Sequence, residues 1–281
     1  MKKLLVALLG VAFCAGAQAA PERIVSLGGT VTEIIYDLGH GDSVVASDIS
    51  SIYPPAVQSL PRVGYYRTAP VEGIAAMQPD LILASEQAGP QQTFKRLSDL
   101  GIKVVQVSDG HSVESLFERI DSVADALDDP AAGKALTEKI RTDLDASLAL
   151  PETPLSTLFI MVRTSKPSGA GNGTAVNEVM KLAGLKNAMA EQQGYKTLSA
   201  EGVIQLAPEM IVTTTMSLEA VGGMEKFLQL PGVSATPAAK AGRVLALDDL
   251  LIMGMGPRLP EAVRSLKEAA AKPASGSSSG S

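Results

Sequence analysis

Short apolar runs recur along the chain at Arg23–Leu27, Val44–Ser47, Lys103–Val107, Leu155–Val162 and Val244–Leu247. Two more, Leu81-Ile82-Leu83 and Met210-Ile211-Val212, each follow a proline and an acidic residue. Continuous apolar runs of this length read as strands buried on both faces of a parallel sheet. Helical patterning fills the intervals. Thr30 with Glu33 three residues later has the form of a capping box ahead of Ile34, Ile35 and Leu38. Strand and helix in alternation predict an α/β fold with mainly parallel sheets.

From Ser112 to Leu127, apolar residues at Val113, Leu116, Phe117, Ile120, Val123, Ala124 and Leu127 keep a helical spacing, and a second helical stretch runs from Ala131 to Leu148. Pro130 breaks the run between them. The two read as a pair of surface helices, or the second reads as a connector over residues 129–150. A stiff connector would join an N-terminal lobe (20–128) to a C-terminal lobe (151–271) and limit hinge closure.

An internal repeat supports the two-lobe reading. Tyr66-Arg67-Thr68, Glu72-Gly73-Ile74 and Pro79-Asp80-Leu81-Ile82 return as Tyr195-Lys196-Thr197, Glu201-Gly202-Val203 and Pro208-Glu209-Met210-Ile211, with the same spacing. Ligands of open α/β sheets bind beyond the carboxyl ends of the strands. Equivalent loops on two lobes therefore face each other across a cleft. One wall offers Tyr65, Tyr66 and Arg67, the other Tyr195 and Lys196. Three of the chain's five tyrosines sit in these two loops.

Composition narrows the chemistry. Lys2 and Lys3, the apolar run Leu4–Ala15 and Ala17-Gln18-Ala19 follow the order of a secretory signal peptide, with cleavage expected after Ala19. The run is short of the roughly eighteen residues of a spanning helix. Phe13 before Cys14 argues against lipoprotein processing. A chain cut there keeps no cysteine, hence no disulfide and no thiolate site. It also keeps 22 basic against 30 acidic residues, which makes nucleic acid an improbable partner. The Ser/Gly-rich end, residues 272–281, reads as a disordered tail.

Arg23-Ile24-Val25-Ser26-Leu27, the Thr-x-x-Glu segment, Gly64-Tyr65-Tyr66-Arg67 and Glu72-Gly73 before Pro79-Asp80 together resemble the periplasmic haem-binding proteins of bacterial haem-uptake transporters. These share a helical-backbone class with siderophore and vitamin B12 binding proteins. The resemblance runs from about Arg23 to Leu266 and includes Gly171–Thr174 and Met253–Pro260. It implies that ferric haem b is the transported ligand, and that a tyrosine two residues before an arginine, here Tyr65 before Arg67, ligates the iron. Ferric iron suits a hard phenolate oxygen. A phenol otherwise keeps its proton to about pH 10, so a guanidinium donating to that oxygen would help. Tyr66 aligns with Tyr195 in the repeat and is the competing candidate, or a ring stacked on the porphyrin.

The same resemblance implies that Glu72 and Glu201, one per lobe, meet arginines of an inner-membrane ABC permease; a carboxylate in a first helical turn is also favourable by itself. Met253 and Met255 suit contact with a flat macrocycle, or ordinary core packing. Arg67, Lys196 and Arg258, with Arg163 and Lys166 behind them, are the cations available for haem propionates. His40 and His111 read as solvated loop residues. The Gly169–Gly173 segment lacks the ending of a phosphate loop and reads as a turn lining the cleft. The one Gly-x-Ser-x-Gly string, Gly276–Gly280, falls in the Ser/Gly-rich tail rather than between a strand and a helix, and no His-Glu-x-x-His occurs. The expectation is a monomeric periplasmic binding protein rather than an enzyme, with a ferric siderophore or cobalamin as the alternative ligand.

Overall fold

In the computed structural model, which describes residues 21–163 and 166–273, the apolar runs pair into two parallel sheets of four strands. The first half supplies β1 (Ile24–Leu27), β2 (Val44–Ser47), β3 (Leu81–Ser85) and β4 (Lys103–Val107), ordered β2-β1-β3-β4. The second half supplies β5 (Ser156–Phe159), β6 (Met161–Val162), β7 (Pro167–Ala170), β8 (Lys186–Asn187), β9 (Tyr195–Thr197), β10 (Met210–Thr214) and β11 (Val244–Leu247). Its parallel sheet is ordered β8-β5-β10-β11, while β6, β7 and β9 make a small antiparallel sheet. The sequence repeat is thus a repeat of sheet order. The expected leader and nearly all of the expected tail lie outside the described residues.

The central strands β1, β3 and β10 are buried along their whole length, as their unbroken apolar composition requires. One core cluster runs through both lobes and takes in Ile34, Ile120, Ile140, Phe159, Val179 and Leu266. Fully burying side chains of this size stabilises by roughly 1.5–3 kcal/mol each, so the lobes are welded by their shared interior. Smaller clusters cover the far face of each sheet.

The two helices after β4 form as the spacing predicts, at Val113–Ala126 and Pro130–Leu148. Ser112 caps the first through the Ser115 amide at 3.1 Å. Asp129 caps the second through the Ala132 amide at 3.1 Å, which makes Pro130 a helix-starting residue. The helices touch at Gly133, where a Cβ would lie 2.6 Å from that of Ala124. Buried Lys267 closes the far end, donating to the Leu148 and Leu150 carbonyls at 2.7 and 2.8 Å.

Two local expectations are corrected. Leu155–Val162 is not one strand: β5 ends at Phe159, and after Ile160 the chain leaves the parallel sheet for the β6–β7 hairpin. Thr30 and Glu33 are not a capping box. The helix spans Gly29–Asp37, so Thr30 lies inside it, and its N-cap Gly28 has no side chain.

Both residues instead hold the lobes together. The Thr30 hydroxyl donates to the Gly254 carbonyl at 3.0 Å. Glu33, 1% exposed, accepts from Arg258 at 2.9 and 3.3 Å. Burial pushes the Glu33 carboxyl up to about 7, against the pull of Arg258. Arg258 also donates to Asp248 at 3.0 Å and stacks on Tyr53, 3.7 Å from the ring centre. Buried Arg119 completes the join, donating to the carbonyls of Ser108 and, at 2.9 and 3.2 Å, of Gly110 and Met255.

Candidate ligand-binding cleft

Strand carboxyl ends from both sheets open onto a cavity of about 760 Å³ between the lobes. Its floor is Gly28–Gly29, between β1 and the first helix. Gly28 has φ +117°, and a Cβ on Gly29 would lie 2.7 Å from the Ser50 carbonyl. Side chains are excluded here by the backbone's path.

Buried Asp48 shapes the rim. Its carboxylate accepts from the Gly28 amide at 2.9 Å, the Ser50 amide and hydroxyl at 2.8 and 2.6 Å, and the Ser51 hydroxyl at 2.8 Å. The turn so fixed leaves Ile49 57% exposed at the cavity.

Tyr65, Tyr66 and Arg67 stand together on the N-terminal wall. Gly64, at φ +95°, turns the chain into a single 3-10 turn, Tyr66–Thr68. Tyr65 is 41% exposed and meets Tyr66 edge-on, with ring centres 4.9 Å apart. Arg67 Nε donates to the Tyr66 hydroxyl at 2.9 Å, and Nη2 donates to Gln87. The guanidinium serves both phenols: Nε sits beside the Tyr66 hydroxyl, and Tyr65 also accepts from it. Burial raises the Tyr66 pKa, with Arg67 acting against it.

At the end of β4, Asp109 and His111 also line the cavity. His111 is half-buried in the cleft wall rather than a solvated loop residue. Its place beyond a strand's carboxyl end was the available signal. His40 lies elsewhere, 3.3 Å from Asp129.

The C-terminal wall differs in character. Met161, Met216, Met253 and Leu250 supply apolar surface, and Tyr195, 40% exposed, supplies the ring. Burial pushes the Tyr195 phenol up to about 12 although Arg163 pulls it down. Arg163 Nη2 donates to Asp249 at 2.5 Å. Met216 and Asp249 were missed from sequence, although each lies two residues beyond a strand, β10 and β11.

Other expected residues lie away from the cavity. Lys196 is exposed and alternates with Tyr195 along β9, so it points to the other face. Met255 is 1% exposed in the core, at φ +46°. Arg258 is spent on Glu33, Asp248 and Tyr53. Lys166 is exposed. Glycines 169 and 171 pack against Met189 and Gln192 behind the wall, so the expected cleft-lining turn is a packing site. Glu72 and Glu201 are exposed in the first turns of helices Val71–Ala75 and Ala200–Leu206.

Two like lobes enclosing a preformed cleft of rings, thioethers and guanidiniums define a ligand-carrying protein. The chain belongs to the periplasmic binding protein family, whose model matches residues 24–251. Among solved structures, the periplasmic heme-binding protein RhuT from Roseiflexus sp. RS-1, in apo form, is 37% identical with a TM-score of 0.84, covering 89% of this chain and 99% of that one. The uncharacterized ABC transporter substrate-binding lipoprotein YvrC of Bacillus subtilis is 31% identical over 88% of this chain and 79% of its own length. A vitamin B12-binding protein of Vibrio parahaemolyticus is 30% identical over 69% of this chain and 70% of its own. Family and relatives named by function are binding proteins, and this chain is a substrate-binding protein of that kind.

Proposed function

We propose that the chain captures ferric haem b in the inter-lobe cleft with Tyr65 as iron ligand, and passes it to an ABC permease of the inner membrane. The observation that carries this reading is Tyr65 itself. Its ring is 41% exposed at the cavity, and Tyr66 backs it edge-on while holding Arg67 close. A phenolate is the oxygen ligand that hard ferric iron favours. Iron supplies most of the force that removes the proton, and the nearby guanidinium adds to it. Ile49, Met216 and Tyr195, all lining the cavity and all exposed, offer apolar area to a flat macrocycle. The likeness to RhuT supports haem.

The likeness to a vitamin B12-binding protein favours a second reading, a corrinoid in the same cleft. Parallel optical titrations with ferric haem and cyanocobalamin separate the two. Saturable haem binding with a high-spin tyrosinate spectrum supports the first reading. Saturable cyanocobalamin binding without any haem shift sinks it.

Delivery rests on Glu72 and Glu201. Each is an exposed carboxylate at the same place in its lobe, a paired charge suited to a two-fold symmetric partner. On this reading a secretory leader at 1–19 directs export, and the protein acts as a monomer in the periplasm beside that permease.

A further inference from the structure

We propose that Arg163 is the carboxylate-recognising residue of the C-terminal wall, an assignment that rests on the haem reading and extends it to the propionates. Three observations carry it. The ion pair with Asp249 is lopsided: the Asp249 side chain is 6% exposed and that of Arg163 38%, so the anion is buried behind the cation and the cation borders the cavity. The second Asp249 oxygen is already occupied, accepting from the Met216 amide at 3.0 Å and the Thr215 hydroxyl at 3.4 Å. Asp249 thereby anchors the guanidinium without absorbing all of its donors.

The second observation is the weakness of the other partner. Arg163 Nη1 donates to the Met216 sulfur at 3.1 Å. A thioether is a poor acceptor. Replacing it by a carboxylate gains a charge-assisted bond, and frees Met216, 41% exposed, to lie on the macrocycle.

Third, the opposite wall repeats the device. Arg67 is held by Tyr66 and by Gln87, two residues beyond β3, as Arg163 is held by Asp249 and by Met216, two residues beyond β10. Each wall thus carries one anchored guanidinium: Arg67 stands at the tyrosine pair, which leaves Arg163 for the carboxylates. Lys196 and Arg258 cannot serve, since neither lines the cavity.

The test titrates wild type, Arg163→Gln and Arg163→Lys with ferric haem and with its dimethyl ester, which has no carboxylate. Arg163→Gln weakens haem by about tenfold or more and leaves the ester unchanged, so the preference for the free acid shrinks; Arg163→Lys restores part of it. Equal weakening of both ligands, or an undiminished preference, overturns the role of Arg163 while leaving haem capture intact. Failure of the wild type to bind either ligand overturns both.

Discussion

The two lobes share a sheet order and a tyrosine motif, yet they build unlike walls. In the N-terminal lobe the chain passes from β1 through Gly28 straight into a helix, and the motif folds as a 3-10 turn. In the C-terminal lobe the β6–β7 hairpin intervenes, and the same motif becomes β9, paired antiparallel with β7, Tyr195 opposite Ala170. An available strand edge decides the local structure of near-identical residues. The position before the motif tyrosine differs too: Tyr65 in one copy, Gly194 at φ +67° in the other. The tyrosine proposed to hold iron is the one with no counterpart, so the repeat supplies the cleft and its departures supply the chemistry.

The largest expected effect tests whether the walls are held in fixed relation. Arg258→Ala leaves Glu33 buried without its partner and should cost about 3–5 kcal/mol of unfolding free energy, measured by urea denaturation. A cost below about 1 kcal/mol would mean that the lobes do not depend on this join.

Next comes the contrast between walls. Tyr65→Ala should lose about a hundredfold in ferric haem affinity and Tyr195→Ala about tenfold, differences of roughly 3 and 1.4 kcal/mol. Equal losses would erase the distinction between the walls.

The Glu33 carboxyl carries a pH signature. Its folded pKa is raised from 4.5 to about 7, so the folded state binds the proton more tightly than the unfolded chain. The corresponding stability is complete below pH 4.5 and is lost as pH rises through 7. Relative to wild type, Glu33→Gln should therefore gain stability across that window, on the order of 2 kcal/mol, in paired thermal melts at pH 4.5 and 7.5. A constant difference between the two proteins would contradict the assignment.

The smallest effect on capture belongs to the exposed glutamates. Glu72→Ala and Glu201→Ala should leave haem affinity within about twofold while lowering transport in a reconstituted permease assay. Loss of binding with intact transport would reverse their roles.

Strands and repeat were legible because burial on both faces leaves an unmistakable apolar run, and because the repeated motif keeps its spacing. What was misread depended on partners far away in sequence. Thr30 and Glu33 have the local form of a cap, but their hydrogen-bond partners are Gly254 and Arg258, more than 220 residues on. Met255 and Arg258 look like loop residues free to meet a ligand, and the same junction buries one and pairs the other. Lys196 failed for a simpler reason: strand alternation sends it away from its neighbour Tyr195.

The most direct measurement compares ferric haem complexes of wild type, Tyr65→Phe and Tyr66→Phe by optical and resonance Raman spectroscopy. The account predicts that the iron–phenolate signature disappears in Tyr65→Phe and persists, slightly shifted, in Tyr66→Phe. A signature that survives in Tyr65→Phe and vanishes in Tyr66→Phe would contradict it.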